Sequence, residues 1–203
     1  MENFYELKAQ AENGDARAQY LIGNCYYDGN GIDEDEDEAA KWWKLAADQG
    51  HLEAVFKMAG VCELEEKQED AVNWLKISAE KGHALSQTAL GQHYDNGLGV
   101  EENYSEALKW YKLAAEQGEP HAQYMLGCHH ANPNWAIYEE AVKWFTLSAK
   151  QGHPYAQTRL AELYIEGKGV GKDFDEALKW YKLAAAQEEE EAIEWLEERD
   201  IGY

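Results

Sequence analysis

Proline is scarce in this chain of 203 residues, three in all, and basic residues are few, eighteen against forty acids. So little proline leaves long stretches free to be helical, and Ala, Leu, Glu, Lys and Gln, all of high helix propensity, dominate the rest. A formal charge of −22 argues against nucleic acid and anionic lipid, which attract positive charge, and favours a basic protein or peptide as partner. No apolar run is long enough to span a bilayer. The opening MENFYELKAQ also lacks the positive start and apolar core of a secretory signal. Cysteine is sparse and odd in number. Cys25, Cys62 and Cys128 cannot all pair within the chain, which speaks against a disulfide framework and for a reducing compartment, the cytoplasm. Aromatics are abundant by contrast: eight Trp and thirteen Tyr in a chain 45% hydrophobic belong to a folded core and not to a disordered segment.

The decamer EALKWYKLAA stands at 106–115 and again at 176–185. Around it runs a full repeat. Gly14, Gly50, Gly82, Gly118 and Gly152 open five units, with Glu188 in the same place at the end, spaced by 32 to 36 residues. A tryptophan stands eight residues before each closing position: Trp42, Trp74, Trp110, Trp144 and Trp180. Alanines lie three residues before each tryptophan (Ala39, Ala71, Ala107, Ala141, Ala177) and five after (Ala47, Ala79, Ala115, Ala149, Ala185), with Leu45, Ile77, Leu113, Leu147 and Leu183 between. These spacings predict the buried stripe of a second helix. A first helix follows each glycine, with a small residue four positions on and a large apolar one eight positions on (Ile22, Met58, Leu90, Leu126, Leu160). Gly23, Ala59, Gly91, Gly127 and Ala161 come next. They are expected to form a notch that the tryptophan fills, so that Trp110→Ala would cost roughly 3–5 kcal/mol.

DGNGI at 28–32, NGLGV at 96–100 and EGKGV at 166–170 read as helix stops built on left-handed glycine. Because the last of these closes a helix, the glycines and lysines of 167–172 are not expected to cradle phosphate, which needs a strand before and a helix after. Residues 4–13 read as a lone second helix and 189–200 as a lone first helix. The chain is thus one repeat domain, with an N-terminal capping helix (1–13), repeats at 14–49, 50–81, 82–117, 118–151 and 152–187, and an acidic C-terminal cap (188–203).

The pattern of small residue, Leu-Gly, Tyr, Gly-x-Gly-Val, Ala, Trp, Ala-Ala and Gln-Gly resembles the Sel-1-like repeat, a relative of the tetratricopeptide repeat. HALSQTALGQHYDNGLGVEENYSEALKWYKLAAEQG carries it nearly whole. Residues 50–81 have lost the glycine loop, and 118–151 replace it with NPNWAIY. The resemblance implies an all-α fold, an α-solenoid, working as a scaffold or adaptor for other proteins and rarely as a catalyst. A cysteine-rich branch of the family, associated with β-lactam binding, has paired cysteines that are absent here. A hydrolase acting on β-lactams or cell-wall fragments is therefore the alternative.

Local spacing suggests no catalytic arrangement and no cofactor site. His51, His83 and His153 each follow an opening glycine, where a structural role at a helix start is expected. Cys128, His129 and His130 are consecutive on a helix and point about 100° apart, so they do not converge on a metal. The acidic run Asp33 to Glu38 reads as a solvated loop, and Trp135 as a plug for its shortened turn. Aligned on the tetratricopeptide pattern, the concave face takes Arg17, Tyr20, Asn24 and Tyr27; Glu53, Phe56 and Glu63; and Leu85, Thr88, Gln92 and Asp95. It continues with His121, Tyr124 and Cys128, then Tyr155, Thr158, Glu162 and Ile165. An acidic, tyrosine-containing groove suits a basic protein or peptide. The resemblance implies a narrower form, a bacterial inhibitor or immunity-type protein, as which some Sel-1-like repeat proteins serve. A monomer is expected.

Overall fold

The computed structural model describes residues 4–134 and 136–202; Trp135 lies outside them. The described residues contain twelve α-helices and no strand. Two compact units divide the chain inside α7 (Tyr104–Glu116). The first, to Trp110, contains α1 (Phe4–Glu12), α2 (Ala16–Asp28), α3 (Glu36–Asp48), α4 (Leu52–Leu64), α5 (Gln68–Glu80) and α6 (Ala84–Asn96). The second contains α8 (Pro120–His130), α9 (Tyr138–Lys150), α10 (Pro154–Glu166), α11 (Phe174–Ala185) and α12 (Glu190–Glu197). Packing follows chain order. In the first unit α1 lies on α2, and so on through α5 on α6; in the second, α8 lies on α9, and so on through α11 on α12. Such sequential stacking of helix pairs is the construction of an α-solenoid. No helix is long and apolar enough to cross a membrane, among the described residues.

Each first helix starts the same way. The opening glycines all have positive φ, from 85° to 94°, and Glu188 takes that conformation as a non-glycine at 63°. The next residue is the N-cap, and its side chain accepts from the N–H three residues on: Asp15 from Ala18, His51 from Ala54, His83 from Ser86, Glu119 from Ala122, His153 from Ala156 and Glu189 from Ala192. The repeated histidines are therefore helix caps. The Gly-x-Gly loops are helix stops. Gly29, Gly97 and Gly167 are left-handed C-caps, and the second glycine serves a different end. A Cβ at Gly99 would run into the backbone of Gln68, and one at Gly169 into that of Tyr138. The loop thus rests on the first residue of the preceding repeat's second helix.

The buried column of the second helices stands one residue beyond the expected one. Trp42, Trp74, Trp110, Trp144 and Trp180 are half-buried, whereas Trp43, Leu75, Tyr111, Phe145 and Tyr181 are buried. These are the residues that fill the notch. A Cβ at Gly23 would stand 2.5 Å from Trp43 Nε1, and one at Gly127 2.5 Å from Phe145 Cε1. The half-buried tryptophans instead cover the seam between their own first helix and the helix before it, Trp42 against the cluster of Leu7, Ala11, Ala18 and Ile22 and Trp74 against the cluster that runs from Ala46 and Ala47 to Met58. Leu45, Ile77, Leu113, Leu147 and Leu183 are not in the stripe; all are 41–50% exposed. The buried set, such as Ala39, Trp43, Ala46 and Ala47, follows offsets of four, seven and eight, which leaves a residue at offset six on the far side.

A glutamine ladder ties consecutive helices together. Gln19, Gln123 and Gln157 are buried and donate from Nε2 to the carbonyls of Ala11, Ala115 and Ala149. Each accepts in turn from the glutamine that closes its repeat, Gln49, Gln151 and Gln187, at 2.7–2.9 Å. The second repeat lacks both partners, with Val55 and Lys81 in their places. Val55 is fully buried, so the polar group and its partner have been lost together, as burial without a hydrogen bond would demand.

The acidic run is not a loop throughout. Asp35 caps α3, and Glu36, Asp37 and Glu38 form its first turn, where the helix dipole favours negative charge.

Candidate functional site

The first helices present the candidate residues, and the structure sorts them. In the first unit Arg17 is exposed, while Tyr20 is half-buried and stacks on the His51 ring of the next helix, 4.7 Å between centroids. Phe56 meets His83 at 5.6 Å with its ring tilted by 57° rather than stacked. Asn24 accepts a hydrogen bond from Trp43 Nε1 at 3.0 Å, which holds the indole in the notch. Tyr27 is 45% exposed and packs against Trp43 at 5.3 Å. Gln92 and Asp95 are half-buried on α6. Thr88 and Thr158, expected on the open face, are buried. A hydroxyl can return a hydrogen bond to its own helix, as Thr88 does to the Ala84 carbonyl, and so tolerates burial.

Tyr27, Phe56 and Gln92 line a cavity of about 850 Å³ in the first unit, together with Trp43, Lys57 and Glu63. Its depth comes from a missing side chain: Gly60, on the wall, has nothing within 4 Å of where a Cβ would be. The rim is acidic. Glu36 and Asp37 come from the first turn of α3, Glu63 and Glu65 from the end of α4. His93, buried at the edge, has both ring nitrogens on acceptors, the Leu98 carbonyl at 2.7 Å and Glu63 Oε1 at 2.9 Å. Burial opposes its charged form, but the Glu63 and Leu98 hydrogen bonds outweigh burial and raise its pKa.

In the second unit Tyr124 stacks on His153 at 4.8 Å, as Tyr20 does on His51, and Tyr155 stands 54% exposed beside it. Burial holds the Tyr124 hydroxyl well above the ordinary tyrosine range, with Cys128 adding to the effect. His121 Nδ1 and His153 Nε2 are 3.2 Å apart. Because His153 Nδ1 accepts from the Ala156 N–H, its proton is on Nε2 and is donated to His121. Burial, then the His121 ring, push the His153 pKa down to about 4. Glu162 is bound by Arg159 Nη1 at 2.9 and 3.0 Å, and the same guanidinium meets Glu191. Burial raises the Glu162 pKa, and Arg159 opposes that rise. Cys25, Cys62 and Cys128 are free thiols, each raised in pKa chiefly by burial, which leaves them poor nucleophiles at neutral pH. Among the described residues no three His, Cys, Asp or Glu side chains converge as a metal site.

Five segments match the profile of the Sel1 repeat, residues 16–51, 54–83, 84–119, 120–153 and 154–189. The chain belongs to the Sel1 repeat family. A Sel1 repeat protein from Oxalobacter formigenes is 32% identical, with a TM-score of 0.82 over 90% of this chain and 75% of that one. A protective antigen present in uropathogenic Escherichia coli strains, displaying an SLR fold, is 29% identical with a TM-score of 0.80 over 93% of this chain. This chain spans only 42% of that antigen's length. An immunity protein from Pseudomonas aeruginosa shares the fold at 20% identity, TM-score 0.63, over 92% of this chain and 74% of that one. No curated protein matches the chain in sequence.

Between Sel1 repeats, single positions differ in ways that the shared pattern does not show. Asn24, Gln92, Cys128 and Glu162 occupy the position at which the second repeat has Gly60. One line of the alignment therefore marks the cavity. Lys57 and Arg159 likewise share a position, yet Arg159 is paired with carboxylates, whereas the Lys57 ammonium lies 5.2 Å from the ring centres of both Tyr27 and Trp43.

Proposed function

We propose that this Sel1 repeat protein is a non-catalytic scaffold that holds a basic protein or peptide against the open side of its first helices. The observation that carries the reading is the pairing of exposed aromatic rings, Tyr27 and Tyr155, with negative charge: Glu36, Asp37, Glu63 and Glu65 share a cavity wall with Tyr27, and acids outnumber basic residues forty to eighteen along the chain. Tyrosine gives large contact area at little entropic cost, and a charge of −22 steers a cationic partner toward it. Arg17, Tyr20, Asn24, Tyr27, Phe56, Gln92 and Asp95 would serve the first unit, and His121, Tyr124, Tyr155 and Glu162 the second. In its narrower form the partner is a toxin and the chain its inhibitor. The Pseudomonas immunity protein, similar in fold alone, is consistent with that form. The chain would act as a monomer in the cytoplasm.

The test is a pull-down from the native host with the parent chain and with a variant carrying Tyr20, Tyr124 and Tyr155 as alanine. A host protein should be retained by the parent, lost by the variant and released by salt, since long-range attraction is screened. Equal capture by both baits would overturn the assignment of the face. Sustained turnover of a chromogenic β-lactam would overturn the non-catalytic reading.

A further inference from the structure

The cavity of the first unit holds a feature that the scaffold reading does not use. Lys57 projects its ammonium over Tyr27 and Trp43 at 5.2 Å from each ring centre, so two aromatic faces form a seat for one cation. With Lys57 in place Trp43 is only 3% exposed. Among the described residues Lys57 makes no ion pair, unlike Lys41, Lys44, Lys67, Lys109 and Lys143. The carboxylates of the rim therefore do not hold it. Glu63 is engaged by His93 and Glu65 by Lys67, but Glu36 and Asp37 have no ion-pair partner among the described residues. An aromatic floor, a lip on which Glu36 and Asp37 lack an ion-pair partner, and the empty volume at Gly60 are together the recognition chemistry of a long cationic side chain.

We propose that this cavity receives a lysine or arginine side chain of the protein partner, and that Lys57 occupies the same seat in the free chain. The inference rests on the scaffold reading for its partner and adds the residue type that docks. On binding, the incoming cation displaces the Lys57 ammonium from the rings and meets Glu36 and Asp37 at the lip. Lys57 then acts as an intramolecular competitor that sets a threshold: a weakly basic segment does not displace it, and a well-placed arginine does. The aliphatic part of the guest fills the space over Gly60, Ala59 and Ala89, which line the wall.

A fluorescein-labelled tetra-arginine peptide, titrated at low salt into the full chain and read by anisotropy, tests the proposal. Removing the competitor in Lys57→Met should tighten binding by about three- to tenfold, the worth of a freed cation–π seat. Lys44→Met makes the same change in charge at a lysine that lies over Trp74 outside the cavity. It should alter affinity by less than about twofold, as for an exposed charge. In the Lys57→Met background, Tyr27→Ala should reverse the gain. So should Gly60→Gln, which fills the cavity with the side chain that the third repeat carries there, and which as a helix-favouring change retains the fold. Equal tightening by Lys57→Met and Lys44→Met, or indifference to both Tyr27→Ala and Gly60→Gln, would overturn the assignment. These outcomes are separable from the pull-down. A host protein captured through Tyr20, Tyr124 and Tyr155 with no Lys57 effect sinks the cavity alone. A Lys57 effect with equal capture by both baits supports the cavity and overturns the assignment of the wider face.

Discussion

Gly127 is the position at which the packing of this fold can be tested most directly. A Cβ there would stand 2.5 Å from Phe145 Cε1 and 2.9 Å from Cγ, where van der Waals contact needs about 3.5 Å or more. Phe145 is 1% exposed and is held by Ala141, Ala149 and Leu160, so the ring has little room to retreat. Gly127→Ala gains about 1 kcal/mol of helix propensity and loses about 2–3 kcal/mol to overpacking. The net expected loss is about 1–2 kcal/mol, a fall of about 0.5–1 M in urea midpoint followed by circular dichroism. The second repeat supplies the rescue, since Ala59 and Leu75 stand at the same two positions and are both buried. Phe145→Leu alone should cost about 1–2 kcal/mol. Combined with Gly127→Ala it should cost less than the sum, with a coupling of about 1–2 kcal/mol. If Gly127→Ala were as stable as the parent, or the double variant strictly additive, the account of the notch would fail.

Folding depresses the His153 pKa to about 4 from an ordinary 6.5, so its contribution to stability is present above about pH 6.5 and lost as pH falls toward 4. The full shift corresponds to roughly 3 kcal/mol; with part of the ring solvated, about 1–2 kcal/mol is expected. His153→Asp, which installs the cap that Asp15 provides in the first repeat, should reduce the loss between pH 6.5 and 5 in thermal melts, and an unchanged profile would refute the cap's role. Glu66 has a φ of 61°, where a side chain strains against the backbone, so Glu66→Gly should raise stability by about 0.5–1 kcal/mol. A lower melting temperature in that variant would contradict it. Trp110 is half-buried against Leu90, and its Nε1 has no hydrogen-bond partner among the described residues, so Trp110→Ala should cost about 2–3 kcal/mol, less than the roughly 3–5 kcal/mol expected of a fully buried ring. A loss as large as that of Phe145→Ala would put the tryptophans back in the core.

What was legible in the sequence was what is local and repeated. The helix starts could be read because a positive-φ glycine followed by His or Asp is a complete cap within a few residues, and Asp15, His51, His83 and His153 all bear it out. The buried column was displaced by one residue because tryptophan is the largest apolar side chain and draws attention to itself. Spacing from Ala39 by four and eight reaches Trp43 and Ala47, and that period alone would have chosen correctly. The glutamine ladder was present in every repeat except the second, but a buried polar residue is recognisable only when its partner is known. Gln19 and Gln49 are thirty positions apart. The cavity was harder still, because it is made by an absence. Gly60 carries no pattern of its own, and it matters only because Tyr27 and Trp43 from the preceding repeat face the space it leaves open. A repeat sequence announces its scaffold through what recurs. A binding site on such a scaffold is best sought where the recurrence breaks, and the second repeat breaks it at Val55, Gly60, Glu66 and Lys81 at once.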